Sequence, residues 1–253
     1  MPASAWPVLD QRGPLAFAHR GGAGDWAENS MPAFENAVAL GYRYVETDVH
    51  VTTDGVLLAF HDDHLDRVTD GTGTVAELDY ATVSRARIDG REPIPLLEDI
   101  LGTWPELRVN IDPKHDGCVE ALAEVIRRTG SIDRVCVGAF SDRRLARLRS
   151  ALGADLCTAL GPRGVARLRG ASWRIPTARP AAGCAQVPRS MGGVRIVDEA
   201  FLNAAHERGL QVHVWTIDDA AEMHELLDLG VDGIMTDRPG VLRDVLVARG
   251  EWD

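Results

Sequence analysis

The sequence predicts an α/β fold, a (β/α)8 TIM barrel with an added antiparallel β-hairpin strand and a small insertion at its C-terminal face. Three observations lead there. The chain has 253 residues, close to the usual size of one eight-stranded βα barrel. Short apolar runs of strand length alternate with segments of helical periodicity, the pattern of parallel βαβ units. Several of those runs end in histidine or carboxylate residues, and in such a barrel the working groups stand at the C-terminal strand ends.

The strand-like runs are 15–19, 44–51, 56–61, 107–112, 135–140, 155–160, 185–188, 210–216 and 233–237. After the first run, Ser30 reads as an N-cap with Pro32 in the first turn, Phe34, Ala37 and Val38 form an apolar face, and Gly41 ends the helix. Segment 117–129 carries Val119, Leu122, Ala123 and Ile126 on one stripe, and 198–208 and 219–229 repeat the pattern.

Nine runs are one too many for an eight-stranded barrel, and the second gap explains the excess. Only Thr52-Thr53-Asp54-Gly55 separates Val51 from Val56, whereas a parallel crossover needs about a dozen residues. Asp-Gly between apolar runs is a hairpin signal, so 56–61 is expected as an antiparallel return strand. With a two-residue turn, Asp48 would face His61. Residues 62–97, with Asp-Gly-Thr-Gly at 70–73 and a helix-like piece at 76–85, read as a small excursion. No linker, low-complexity tract or repeat stands out, and 1–253 is expected to be one domain.

The net charge is −11, from 27 basic and 38 acidic residues. That balance disfavours a nucleic-acid or anionic-membrane surface. An anionic substrate would need local positive charge, and a bound metal ion is one source. The four cysteines show no CxxC spacing and read as small buried hydrophobes in a reducing compartment. The N-terminal residues form no leader-like pattern, and no apolar run reaches the ~18 residues of a membrane span. A cytoplasmic protein with no stable membrane insertion is expected.

The first run ends in His19-Arg20-Gly21-Gly22, the second carries Glu46 and Asp48, and the return strand ends in His61-Asp62. The next reads Asn110-Ile111-Asp112-Pro113-Lys114, a later one ends Val214-Trp215-Thr216, and the last ends Thr236-Asp237. Strand residues two apart share a face, which pairs Glu46 with Asp48 and Asp112 with Lys114. Three converging carboxylates repel one another unless a cation lies between them, and hard oxygen ligands favour Mg²⁺ or Ca²⁺. His61 and His19, at strand ends beside that acidic cluster, are acid/base candidates. His64, His115, His206 and His224 read as structural, and His213 as filling the barrel. Gly71 and Gly73 read as turn residues, lacking the context of a phosphate cradle.

These residues together resemble the glycerophosphodiester phosphodiesterase family. The matching pieces are His19-Arg20-Gly21, Glu28-Asn29-Ser30, Glu46-x-Asp48, Asp54-Gly55, His61-Asp62 with Leu65, Arg67 and Thr69, Asp112-x-Lys114, Val214-Trp215-Thr216 and the stretch from Gly230 to Pro239. The resemblance implies a phospholipase-C-like barrel binding one divalent cation, Mg²⁺ or Ca²⁺, through Glu46, Asp48 and Asp112. It implies His19 and His61 as general acid and base, Arg20 and Lys114 on the phosphate, and Trp215 lining the pocket. The implied reaction is hydrolysis of glycerophosphodiesters to glycerol 3-phosphate and an alcohol, through a cyclic phosphate. The family commonly has glutamate where this chain has Asp112, whose carboxylate is shorter by about 1.5 Å; it would reach the metal through water or draw the ion toward its strand. Rival readings are a lysophospholipase D-like enzyme on lipid substrates, which needs an apolar entrance that the scattered tryptophans do not suggest, a metal-dependent aldolase or lyase barrel, and a non-catalytic binding barrel.

Overall fold

A strand covered on both faces can bury every residue, and all eight of the 44–51 run are buried, the polar Glu46, Asp48 and His50 among them. The computed structural model describes residues 6–178 and 180–252. In chain order the first elements are β1 (Leu15–His19), α1 (Met31–Ala39), β2 (Tyr44–Val51), β3 (Leu57–Ala59), α2 (Tyr80–Val83), β4 (Arg87–Ile88), β5 (Glu92–Pro93) and α3 (Leu97–Thr103). Next come β6 (Arg108–Pro113), α4 (Cys118–Thr129), β7 (Val135–Val137), α5 (Asp142–Leu152), β8 (Cys157–Thr158) and α6 (Pro162–Ser172). The last are β9 (Cys184–Pro188), β10 (Ser190–Met191), β11 (Val194–Arg195), α7 (Glu199–His206), β12 (Gln211–Trp215), α8 (Ala220–Leu229), β13 (Gly233–Thr236) and α9 (Pro239–Arg249). The segment read above as lacking a leader includes Met1 to Ala5, which lie outside the described residues.

Eight parallel strands form the expected barrel, in the order β8-β7-β6-β2-β1-β13-β12-β9. Among the described residues its two ends meet through one bridge, Ala159 with Cys184, supported by Leu160 N–H to Cys184 O at 2.8 Å and Gly183 N–H to Thr158 O at 2.9 Å. One core lies between strands and helices, from Val45, Val109 and Val212 outward to Phe34, Leu122 and Phe201. A second fills the barrel's interior with Phe17, Tyr44, Met235 and three cysteines. A 3-10 turn at Pro7–Leu9 brings Val8 and Leu9 into that inner cluster. It sits at the strands' N-terminal ends, where Gln211 donates to the Leu9 carbonyl at 3.0 Å.

The helix starts follow their caps. Ser30 accepts from Ala33 N–H at 3.3 Å, as the sequence suggests. Asp198 and Asp219 cap α7 and α8, which begin one residue after each aspartate. The expected helix-like piece at 76–85 divides, because Asp79 caps a new helix at Tyr80–Val83 behind a 3-10 turn at Val75–Glu77. The excursion has its own apolar cluster, in which Leu65, Val75, Val83 and Ile88 pack on Leu58 and Phe60.

The hairpin is antiparallel as expected, but its register differs by one residue. Val49 pairs with Ala59 and Val51 with Leu57, so Asp48 stands opposite Phe60, whose N–H reaches the Asp48 carbonyl at 2.9 Å. The turn has three residues between Thr52 and Val56, not two. Thr52 N–H bonds the Val56 carbonyl at 3.0 Å, and the Thr52 hydroxyl holds both Asp54 Oδ1 at 2.6 Å and Val56 N–H at 3.0 Å. Gly55 takes φ of +87°, the left-handed conformation that ends such a loop. Some strands are also shorter than their apolar runs: β7 stops at Val137 and β8 spans two residues, because Asp155 belongs to the turn before it.

Candidate active site

The strand ends open into a cavity of about 600 Å³. All eight residues singled out from the sequence line it: His19, Arg20, Glu46, Asp48, His61, Asp112, Lys114 and Trp215. Parallel register explains much of this convergence. His19 lies beside Glu46 in the β1–β2 pairing, and Asp48 beside Asp112 in the β2–β6 pairing. His61 arrives differently, as a residue just beyond β3 and not as a cross-strand partner of Asp48.

The loop after β1 is shaped by glycine. Gly21 has φ of +82°, and a Cβ there would lie 2.9 Å from the Ala33 backbone, so the loop packs directly on the start of α1. Arg20, itself at φ of 51°, is then aimed across β2. Its Nε lies 3.0 Å from Asp48 Oδ2, an ion pair, and its guanidinium donates to Glu28 at 3.1 Å. Asn29 donates to Asp48 at 3.4 Å while accepting from Thr47 at 2.8 Å.

Charge in the cluster is unevenly balanced. Lys114 Nζ bridges Asp48 Oδ1 at 2.6 Å and Asp112 Oδ2 at 2.9 Å. Burial works against the Asp48 carboxylate, yet Lys114, Arg20 and His61 outweigh it and hold its pKa below the ordinary value. Glu46 has less help: burial and the neighbouring Asp48 push it up to about 7. Burial also raises Asp112, and its buried Oδ1 has no hydrogen-bond partner among the described residues.

Each histidine is held by a carboxylate on one ring nitrogen. His19 Nδ1 lies 2.6 Å from Asp237 Oδ1, and His61 Nδ1 lies 2.5 Å from Asp62 Oδ1. His19 Nε2 is 3.6 Å from Glu46. Burial opposes the His19 charge, but Glu46 and Asp237 together raise its pKa. Asp62 is held well below the usual carboxylate range, first by Arg67, which also grips Glu28 at 2.6 Å. The His-Asp dipeptide was visible in the sequence, and Asp237 stood at a strand end, but neither spacing revealed an orienting role.

A divalent cation is the group the donor set suggests. Among the described residues, no three histidine, cysteine or carboxylate side chains are gathered as a metal centre would be, because Lys114 holds two of the acids. The chemistry nevertheless fits: three oxygen-donor residues share one wall, one oxygen is orphaned, and the cationic partner of Glu46 is the His19 ring at 3.6 Å.

Of the opposite wall, only Trp215 was foreseen. From the ends of β7, β8, β9 and β12 come Phe140, Leu160, Val187 and Trp215, joined by Val165 of α6 and Ile196. Asn110 and Gln186, bonded at 2.8 Å, mark the boundary with the charged wall. These apolar residues are scattered along the chain, so no window of sequence displays them as an entrance.

Residues 19–241 match the glycerophosphoryl diester phosphodiesterase family model. The chain is 41% identical, over 97% of its own length and 95% of the other, to a Mycobacterium tuberculosis protein named "Probable glycerophosphodiester phosphodiesterase 2". Its fold resembles a glycerophosphodiester phosphodiesterase from Agrobacterium tumefaciens, with TM-score 0.76, 24% identity, and 91% and 99% of the two chains covered. It also resembles an Oleispira antarctica phosphodiesterase solved with its product sn-glycerol-3-phosphate, with TM-score 0.78, 22% identity, and 93% and 97% covered.

Proposed function

Since the chain belongs to the glycerophosphoryl diester phosphodiesterase family and is a phosphoric diester hydrolase, we propose that it cleaves glycerophosphodiesters to glycerol 3-phosphate and an alcohol through a metal-dependent, two-histidine mechanism with a cyclic phosphate intermediate. The observation that carries this reading is the pair of carboxylate-held histidines flanking Arg20, Lys114 and three acids on one cavity wall.

Glu46, Asp48 and Asp112 would hold Mg²⁺ or Ca²⁺, which when bound supplies positive charge to the phosphate oxygens. Arg20 and Lys114 bind the phosphodiester and stabilise charge building on it. One histidine takes the proton from the glycerol 2-hydroxyl as that oxygen bonds to phosphorus. The other gives a proton to the departing alcohol oxygen as its bond to phosphorus breaks. Water then opens the cyclic phosphate with the histidine roles reversed. Asp237 and Asp62 fix the rings through Nδ1, leaving Nε2 of each for the transfer. Trp215 lines the pocket beside the substrate's organic part.

Glycerophosphocholine is the test substrate. Exhaustive EDTA treatment abolishes its hydrolysis, and Mg²⁺ or Ca²⁺ restores it; full activity in protein shown to be metal-free refutes the metal requirement. A 2-deoxy analogue binds without turning over, and turnover at a comparable rate means that water attacks phosphorus directly.

A further inference from the structure

Arg20 reaches the charged wall from the loop after β1 and His61 from the residues after β3, and one side chain outside the cavity grips the supports of both. Arg67 stands on the 3-10 turn Leu65–Arg67. Its Nε and Nη2 donate to Asp62 Oδ2 and Oδ1 at 2.5 and 3.0 Å. Its Nη1 and Nη2 donate to Glu28 Oε2 and Oε1 at 3.0 and 2.6 Å. Four of the five guanidinium N–H groups are used in these two forks. Each carboxylate has one other partner among the described residues, and both partners belong to the site. Asp62 Oδ1 holds His61 Nδ1 at 2.5 Å, and Glu28 accepts from Arg20 Nη1 at 3.1 Å.

The Arg67 side chain is 49% exposed, and ion pairs that open to water add little stability. What two planar forks fix is direction. The turn that carries Arg67 is firm enough to pass that direction on. Leu65 packs in the excursion's own apolar core beside Val75 and Ile88. Thr69 bonds the Leu65 carbonyl twice, through N–H at 3.1 Å and hydroxyl at 2.7 Å, and Asp66 accepts from Gly73 N–H at 3.0 Å. Arg20 depends on such support, because its φ of 51° is strained for a residue other than glycine and persists only where the surroundings enforce it. We infer that Arg67 is a positioning residue that aligns both sides of the reaction at once: through Asp62 it orients the His61 ring, and through Glu28 it aims the Arg20 guanidinium at the phosphate. This rests on the hydrolytic reading of the charged wall. It also gives the excursion at 62–97 a use, as the base from which Arg67 reaches back to the site.

Kinetics on glycerophosphocholine, with a thermal melt of each variant, test the inference. Arg67→Met lowers kcat by ~10–100-fold and raises KM by about tenfold, while Tm stays within about 4 °C of wild type. The two effects divide between the acids: Asp62→Asn reproduces the fall in kcat, and Glu28→Gln the rise in KM. Arg67→Lys keeps the charge without the forks, and its kcat/KM remains at least about tenfold below wild type. In the Asp62→Asn/Glu28→Gln background, Arg67→Met changes kcat/KM by no more than about threefold, because both of its routes are already cut. Four results overturn the inference and leave the proposed reaction standing: wild-type constants in Arg67→Met, full recovery in Arg67→Lys, unchanged kcat in Asp62→Asn, or an undiminished loss in the doubly amidated background. A loss of activity that follows a Tm fall beyond about 4 °C in both Arg67 variants assigns the residue to the fold and overturns it as well. Failure of the wild type to hydrolyse glycerophosphocholine with Mg²⁺ or Ca²⁺ present overturns the underlying reading.

Discussion

His19 and His61 reach the cavity from different parts of the sheet, yet both are gripped through Nδ1 by a carboxylate. Such a grip selects the tautomer and the ring's orientation, which proton transfer at Nε2 requires. His19→Ala and His61→Ala should each lower kcat on glycerophosphocholine by ~10²–10⁴. The double variant should lose far less than the product of the two, because the groups act as a unit. Asp237→Asn should cost less, about 10–100-fold, and appear in kcat with little change in KM. Near wild-type kcat in either alanine variant would make that histidine structural. The sequence exposed the histidines because they stand beside acids at strand ends. Their partners were harder to see, since Asp237 is 218 residues from His19 and meets it only because β13 closes the barrel against β1.

At the scale of elements, strands were legible wherever an apolar run met a ladder on both sides. The adjacency of β2 and β6 and the shared face of their acids follow from strand order and period, whereas the register that stacks Asp48 beside Asp112 comes from the structure. The hairpin shows where such reading stops. Asp-Gly predicts a tight turn, but the Thr52 hydroxyl competes for Asp54 and Val56 N–H, and one extra loop residue moves every later partner by one. The β10–β11 hairpin and the apolar wall left no comparable trace, because two-residue strands and single side chains from separate elements have no period. The end of α7 offers a test on electrostatics. His206 lies 2.8 Å from Asp232, which also accepts Val212 N–H at 2.7 Å. The Asp232 hydrogen bond raises the His206 pKa above its ordinary 6.5. Its stabilisation is therefore complete below the unfolded-state value and is lost as pH rises through the higher folded-state value. Denaturation of wild type and His206→Gln should show a larger stability gap at about pH 5 than at about pH 9; a gap independent of pH would mean that the ring's charge contributes nothing.

For the whole molecule, the barrel's two ends are finished differently. The C-terminal end opens into the cavity, whereas Val8 and Leu9 close the other by packing beneath Phe17 and Tyr44. Leu9 is 1% exposed, so the turn at Pro7–Leu9 belongs to the core although it precedes the first strand. Leu9→Ala should cost about 2–5 kcal/mol. At ~2–4 °C per kcal/mol for a chain of this size, Tm should fall by roughly 4–20 °C. A shift under about 1 °C in a thermal melt would show that the plug is dispensable.

The single bridge between β8 and β9 gives the barrel a built-in clock. Cys184 is one half of that bridge. Its sulfur lies 3.8 Å from that of Cys136, which in turn is 3.7 Å from Cys157. All three thiols are buried and unoxidised, and they belong to three strands consecutive around the cylinder, of which β8 and β9 must part if it unzips. A water-borne thiol reagent meets them only in molecules that have opened, at that bridge or globally. The speed at which these sulfurs are capped therefore counts, turn by turn, how often the cylinder springs open, with no label added.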